Sequence, residues 1–157
     1  MRRRFLFLLA VVSVAAGILA TAAAADRPEV IVEDVTGGQL ACGDTLLTAT
    51  QGTGVGRQHV HRLPSGLYRI MFRETLRGVR LTDGSTTYRA VGTIGGNFVT
   101  RDPESDEAIV SGFFRARINV IGPDGLFGKV AFTERLTRSG RHTEVNRGSC
   151  DFAGDEE

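Results

Sequence analysis

Apolar and polar residues alternate with a period of two along much of the chain. Between Tyr68 and Leu76 every second position is apolar except Glu74, and polar residues occupy most of the positions between them. Residues 114–120 and 126–136 repeat this pattern, which is typical of a β-strand with one buried face. Weaker alternation predicts further strands at residues 29–35, 45–51, 79–82, 86–94 and 141–146, so seven or eight strands are expected.

Turn-forming residues separate the predicted strands. Short clusters of glycine, proline and aspartate predict hairpins between consecutive strands, and no segment has the period of a helix. These clusters are Gly37-Gly38, Pro64-Ser65-Gly66, Asp83-Gly84, Gly95-Gly96, Pro123-Asp124-Gly125 and Ser139-Gly140. Two all-β architectures fit, a single antiparallel β-barrel and a two-sheet β-sandwich. Long strands with glycines inside them, where a barrel must bend, favour the barrel of seven to eight strands.

The first 25 residues have the composition of a secretory signal peptide. Three arginines precede an apolar run from Phe5 to Ala20, and an A-x-A site ends at Ala25. The run is too short for a membrane span, which needs about 20 strongly apolar residues. We therefore predict cleavage after Ala25, a single domain over residues 26–157, and a secreted protein with no membrane span in its mature chain. The R-R-x-F-L start leaves the general secretory and twin-arginine routes open.

The charge of the predicted mature chain is nearly balanced. The whole chain has 19 basic and 18 acidic residues, and three of the basic ones but none of the acidic ones lie in residues 1–25. Residues 26–157 therefore carry a formal net charge of −2. This balance favours neither nucleic acid nor an anionic membrane as a partner. The sequence contains no cofactor motif and no nucleophilic serine or cysteine motif, so we expect no cofactor and no hydrolase activity.

The two cysteines, Cys42 and Cys150, lie near opposite ends of the predicted mature chain. An even pair in an exported protein predicts a disulfide bond. A reactive thiol and a metal site are the alternatives, but neither cysteine has a C-x-x-C partner or a histidine close in sequence. The bridge would tie the end of the chain to the first part of the sheet.

A family resemblance rests on four segments between residues 42 and 150. They are the Asp83-Gly84 turn, the T-Y-R-A-V-G strand at 87–92, the I-G-P-D-G-x-x-G hairpin at 121–128 and the G-S-C at 148–150. These segments resemble small uncharacterised exported bacterial β proteins, whose barrels are similar in outline to the calycin and allene-oxide-cyclase barrels. The resemblance implies a barrel fold. The chain has no tryptophan, and therefore lacks both the G-x-W of lipocalins and the ligand-binding tryptophans of avidin-type barrels.

A glycine-rich run is followed by two histidines in the segment from Gly52 to His61. The run G-T-G-V-G-R at 52–57 is not followed by a helix, which favours a flexible or bulged strand over a phosphate-binding loop. His59 and His61 are two residues apart, so both rings point to one face of a strand. They would hold Zn²⁺ or Cu²⁺ only with a third ligand from another strand, and His142 is the one other histidine. Two surface histidines without a metal are the simpler interpretation, and we predict no metal.

Two glutamates interrupt the apolar face of their strands. Glu74 and Glu134 both occur in the pattern F-x-E-x-L, in register with the apolar residues. If those faces point inward, two carboxylates enter the barrel, and a buried carboxylate requires a partner or a proton. Both are therefore candidate catalytic acids or bases. The alternative is that each lies at a strand end and reaches solvent at the barrel rim.

The sequence favours a binding function. We predict that the barrel interior or mouth takes a small apolar ligand. The expected lining residues are Tyr68, Ile70, Phe72, Tyr88, Phe114 and Phe132. The same residues would also fill a core without a ligand. Two other functions remain open, a barrel-type isomerase or cyclase that uses an inward glutamate, and a surface or interaction protein without a pocket.

Overall fold

The computed structural model describes residues 28–153, which form one antiparallel sheet of nine strands nearly closed into a barrel. The strands β1 to β9 are Glu29–Asp34, Gln39–Cys42, Thr45–Arg62, Tyr68–Thr82, Thr87–Thr100, Ile109–Gly122, Gly125–Leu136, His142–Asn146 and Cys150–Phe152. Between β5 and β6 lies a 3₁₀ turn at Asp106–Ala108. Within residues 28–153 no helix has the length and hydrophobicity that crossing a membrane requires. The predicted signal peptide, residues 1–25, lies outside the described residues.

The strand order explains how the barrel closes. The hydrogen-bonded path is β8-β7-β6-β5-β4-β3-β2-β9, and β1 pairs with β3 off this path. The long β3 pairs with β2 through residues 45–48 and with β1 through residues 53–58, so β1 and β2 lie end to end along one edge of β3. Near β9, the Lys129 amide donates to Ser149 Oγ and the Arg147 amide donates to the Ala131 carbonyl, which brings this chain segment against β7.

The barrel prediction is confirmed, and the sandwich alternative is wrong because a single sheet carries all nine strands. Strands β1 and β8 both lie in one half of the barrel, which is called the β1/β8 end below. The other half, where β9 pairs with β2, is called the β2/β9 end.

Side-chain alternation fixes the inner and outer faces. On β6 the side chains of Phe114, Ala116 and Ile118 are buried, whereas those of Arg115 and Arg117 between them are exposed. The same alternation holds along most of β4, and the inward residues of the strands together form one continuous hydrophobic core. The apolar period of two seen in the sequence therefore defines the barrel wall.

Some predicted strands are parts of longer ones. Residues 68–76 and 79–82 are both in β4, which continues through a bulge where Gly78 has a φ of +63°. Residues 45–51 continue in β3 to Arg62, through an irregular register around Gly52, as the bulged-strand interpretation predicted. A bulge preserves the strand while it shifts the inward register by one residue.

The predicted turn at Gly95-Gly96 is wrong, because both glycines lie inside β5. A Cβ atom at position 96 would lie 2.7 Å from the Phe72 ring and 2.6 Å from the Phe98 ring. Glycine is needed here to let aromatic side chains approach the backbone, and not to reverse the chain.

The two cysteines are joined as predicted. Cys42 and Cys150 are directly opposite each other in the β2–β9 ladder, with Cα atoms 4.1 Å apart and a disulfide bond between them. The bridge lies inside the core, where both residues are buried. It therefore fixes the strand pair that closes the barrel.

Candidate functional site

Glu74 lies on the inner face of β4, between the buried Phe72 and the half-buried Leu76. Its side chain is 4% exposed, so the register carries the carboxylate into the barrel and not to the rim. On the adjacent β3, Gly56 is opposite Glu74 and Gly54 is opposite Leu76. A Cβ atom at Gly54 would collide with the Glu74 carboxylate. The glycine-rich segment of β3 therefore provides the space that this carboxylate occupies.

A further glutamate, Glu33, lies beside Glu74. In the β1–β3 ladder Glu33 is opposite Gly54, which puts its side chain on the inner face as well. The Glu33 Oε2 atom is buried and has no hydrogen-bond partner among the described residues. Burial, and secondly the charge of Glu74, raise the pKa of Glu33 to about 7, and burial also raises the pKa of Glu74. The two carboxyl groups form a pair that retains a proton up to neutral pH.

Sequence reasoning missed Glu33, although the signal was present. Glu33 alternates with Ile31 of β1 and with Val35 just after the strand, and both of these are half-buried against the core. This is the same interruption of an apolar face that identified Glu74 and Glu134. The strand was recognised, but its sequence E-V-I-V-E-D puts apolar residues on both faces and so did not indicate which face points inward.

The raised pKa of Glu33 predicts that the folded state loses stability as the pH rises towards neutrality. In the unfolded chain this carboxyl ionises near pH 4.5, whereas in the folded protein it remains protonated until about pH 7. Between these values the folded state binds more protons, so the free energy of unfolding falls and then stays low at higher pH. Because Glu33 is partly exposed, we expect its contribution to be about 1–2 kcal/mol.

Urea unfolding between roughly pH 4 and pH 8 measures this slope. We expect Glu33→Gln to reduce it, because the amide does not titrate. Glu29→Gln is the matched control, since Glu29 is exposed on the same strand and should leave the wild-type slope unchanged. Parallel curves for wild type and Glu33→Gln would exclude Glu33 as the source of the pH dependence.

A second carboxylate group forms around Glu134. This residue lies on the inner face of β7, is 2% exposed and hydrogen-bonds through Oε1 to His142 Nε2 on β8. The His142 side chain is 35% exposed, so the pair connects a buried carboxylate with solvent. Glu144 is directly opposite Glu134 in the β7–β8 ladder and faces the same side of the sheet. A carboxylate and an imidazole in contact can hold and exchange a proton.

Both glutamates of the F-x-E-x-L segments are thus buried, as their register predicts, and the rim alternative does not hold. The structure places them in two groups, because Glu74 lies beside Glu33 and Glu134 lies beside His142. Strands β5 and β6 separate the two glutamate-bearing strands within the sheet. A catalytic role for either residue stays a prediction. His142 had been noted in the sequence only as a third histidine.

Aromatic rings fill the barrel interior next to these groups. The centroid of the Phe114 ring lies 6.4 Å from that of Phe72 and 6.1 Å from that of Phe132. Phe98 extends the cluster at 6.1 Å from Phe72, and Phe152 extends it at 5.8 Å from Phe132. Phe114 is also directly opposite Glu134 in the β6–β7 ladder, so the rings and the carboxylate are neighbours on one face.

The predicted lining residues are only partly brought together. Phe72, Phe114 and Phe132 belong to the aromatic cluster. Tyr68 and Ile70 lie at the start of β4 and are half-buried. Tyr88 lies in the β2/β9 half of β5, where its hydroxyl donates to Asp83 Oδ2 at 2.9 Å and its ring packs against Phe127. Sequence reasoning overlooked Phe98 and Phe152.

The histidine pair lies on the outer face of the barrel. Gln58 and Val60 are opposite Phe72 and Ile70 in the β3–β4 ladder and face inward, which turns His59 and His61 outward together. Both rings share one face, as their spacing predicts. Among the residues that the structure describes, no group of three or more histidine, cysteine, aspartate or glutamate side chains is arranged to hold a metal ion.

No protein-family model matches the chain, and neither a curated protein nor a solved structure is significantly similar to it. The interpretation of the site therefore depends on its own geometry and chemistry.

Proposed function

We propose that this protein is an exported binding module that takes a small, mainly apolar ligand at the β1/β8 end of its barrel. The aromatic cluster contacts the apolar part of the ligand, and the Glu33–Glu74 pair accepts hydrogen bonds from an amine or hydroxyl group on it. Ligand sites in barrels commonly combine an apolar lining with a few convergent polar groups. We also propose that the protein is related to the small exported bacterial barrel proteins that its sequence resembles.

The buried Oε2 atom of Glu33 is the observation that carries this proposal. It has no hydrogen-bond partner among the described residues, and the adjacent Glu74 is an acceptor too. An unsatisfied buried acceptor costs about 1–3 kcal/mol, and more when it is charged. A ligand that donates a hydrogen bond would relieve this cost, whereas a purely apolar ligand would not.

Export is supported by the signal-like composition of residues 1–25 and by the disulfide bond between Cys42 and Cys150. Structural disulfides persist in oxidising compartments and are rare in the cytosol.

Three isosteric probes test the proposal, 2-naphthylmethylamine, 2-naphthylmethanol and 2-ethylnaphthalene. They share an aromatic body and differ in the group that would reach Glu33. We expect the amine and the alcohol to bind roughly tenfold or more tightly than the hydrocarbon, because a hydrogen bond to a charged group contributes about 1.5–3 kcal/mol. Isothermal titration calorimetry measures the three affinities.

The variant Glu33→Gln should abolish most of the preference for the amine, and the exposed Glu29→Gln should retain it. Binding of the amine should also strengthen as the pH rises through about 7, because Glu33 then ionises. Equal affinities for all three probes, or a preference that survives Glu33→Gln, would reject the proposed role of the carboxyl pair.

An acid–base isomerase or cyclase is the second candidate function. The observation that favours it is the pKa of Glu33, raised to about 7, since a general acid or base works best with a pKa near the operating pH. In such an enzyme Glu33 or Glu74 would move the proton. Turnover of a bound ligand, lost in Glu33→Gln, would favour this function over simple binding.

A further inference from the structure

The outer face of the barrel is basic, although the predicted mature chain is nearly neutral. Strands β3 to β7 contain only two acidic residues, Glu74 and Glu134, and both point inward. On β4, β5 and β6, seven exposed arginines point outward: four lie on β4, one on β5 and two on β6. None of these arginines forms an ion pair with a described side chain. On strands β3 to β7 both carboxylates therefore lie inside the barrel, whereas these seven guanidinium groups lie outside it.

The small outward residues Thr93, Gly95 and Asn97 of β5 lie between exposed arginines of β4 and β6, and this strip along β5 is called the trough below. Arg73 of β4, Gly95 of β5 and Arg115 of β6 are directly opposite one another across the three strands. Thr93 and Asn97, the outward neighbours of Gly95 on β5, are half-buried although they face solvent. Adjacent strands are about 4.8 Å apart, so the strands on either side of β5 are roughly 10 Å apart. This spacing suits one extended polymer chain.

A depression continues the trough towards the β2/β9 end. It has a volume of about 410 Å³. Its lining residues include the outward cross-strand row of Gln51, Arg80, Arg89 and Ile121. Arg80 and Arg89 are directly opposite each other, and both are exposed. Two like charges placed side by side are destabilising unless an anion lies between them.

We propose that the β4–β6 wall binds an extended acidic polysaccharide along β5. Arginine side chains on both sides of the trough pair with carboxylate groups of the sugars. A guanidinium group forms two hydrogen bonds to one carboxylate, and this contact is stronger and more specific than the contact of a lysine ammonium group. On the floor, the Thr93 hydroxyl and the Asn97 amide are suited to hydrogen-bond sugar hydroxyl groups. The depression at Arg80 and Arg89 then receives one end of the chain.

The composition of the wall favours a polysaccharide over the other polyanions. Binding of single-stranded nucleic acid relies on successive exposed aromatic rings, and Phe113 is the one exposed aromatic residue of β4–β6 in the described chain. A membrane surface would favour a continuous apolar area among the charges. Here the exposed Met71 and Phe113 are separated by the polar Asn97, which lies between them in the same cross-strand row.

The test measures binding of a size-fractionated oligogalacturonate to the folded protein at low salt by biolayer interferometry. We expect Arg73→Gln/Arg115→Gln to weaken binding roughly tenfold or more, because it removes charge-assisted hydrogen bonds from both sides of the trough. Arg138→Gln/Arg141→Gln removes the same charge from the exposed β7–β8 turn and is the matched control. Thr93→Tyr should also weaken binding, since it fills the trough without changing the charge.

Single-stranded DNA, anionic phospholipid vesicles and neutral dextran are measured in parallel. Preferential binding of oligogalacturonate, lost in the Arg73/Arg115 variant and in Thr93→Tyr but retained in the Arg138/Arg141 variant, supports the proposal. Equal loss in both arginine pairs would show a general charge effect and overturn it. Tighter binding of DNA or of vesicles, or no binding of oligogalacturonate, would overturn it as well. Thermal unfolding of each variant checks that its fold is intact.

Discussion

Removal of the disulfide is expected to lower the free energy of unfolding by about 4–5 kcal/mol. The bridge between Cys42 and Cys150 closes a loop with a sequence separation of 108 residues, and it restricts the unfolded chain accordingly. It also joins β2 to β9, which is the strand pair that completes the barrel. Urea unfolding of the double variant Cys42→Ala/Cys150→Ala measures the effect.

Wild-type protein treated with a reducing agent is the control for this variant, because it retains both cysteine side chains in the core. The loss of stability should be similar in the two samples if loop closure is its cause. A reduced wild type as stable as the oxidised protein would show that the bridge contributes little. In that case, loss in the alanine variant would reflect packing around Gly128, where an added Cβ would lie 3.5 Å from Cys42 Sγ.

Alternation along the chain was sufficient to predict an antiparallel all-β fold and the inward faces of its long strands, whereas strand length and internal glycines favoured the barrel over the sandwich. On β6 each buried residue is preceded by an exposed one, because a strand repeats every two residues and the interior admits few polar groups. The short closing strands β2 and β9 could not be predicted in this way. Each has only three or four residues and depends on tertiary pairing, including the disulfide, for its structure.

Glycine gave the most misleading local signal. The Gly95-Gly96 pair has turn-forming composition, but in the structure it admits aromatic rings from inside and leaves a shallow floor outside. Local propensity could not reveal this, because the reason for glycine lies on neighbouring strands. The three inward glutamates illustrate the same limit. Sequence identified Glu74 and Glu134 on long strands, but the pairing of Glu33 with Glu74 depends on the β1–β3 register.

Net charge was an incomplete guide to the surface. A value of −2 for residues 26–157 conceals inward carboxylates, acidic loops and a basic wall. The information was present in the sequence, since arginines alternate with apolar residues on β4 and β6. Only the lateral order of the strands shows that these arginines lie on both sides of a strand with small outward residues.

The aromatic cluster provides the last prediction, which compares two adjacent phenylalanines. Phe114 is 3% exposed and contacts three other rings, whereas Phe113 is 41% exposed on the outer wall. We expect Phe114→Ala to lower the free energy of unfolding by about 3–5 kcal/mol, because it leaves a cavity in a packed core. Phe113→Ala should cost about 1 kcal/mol or less.

Urea unfolding of both variants measures this difference, and benzene adds a second readout that concerns the proposed ligand site. An apolar cavity of this kind can bind benzene. Benzene should therefore raise the melting temperature of Phe114→Ala and leave that of Phe113→Ala unchanged. Similar losses of stability in the two variants would contradict the inward register of β6. If Phe114→Ala instead lost stability but gained none from benzene, the neighbouring rings would have moved into the vacated space. The aromatic cluster would then lack the rigidity that ligand binding at the β1/β8 end requires.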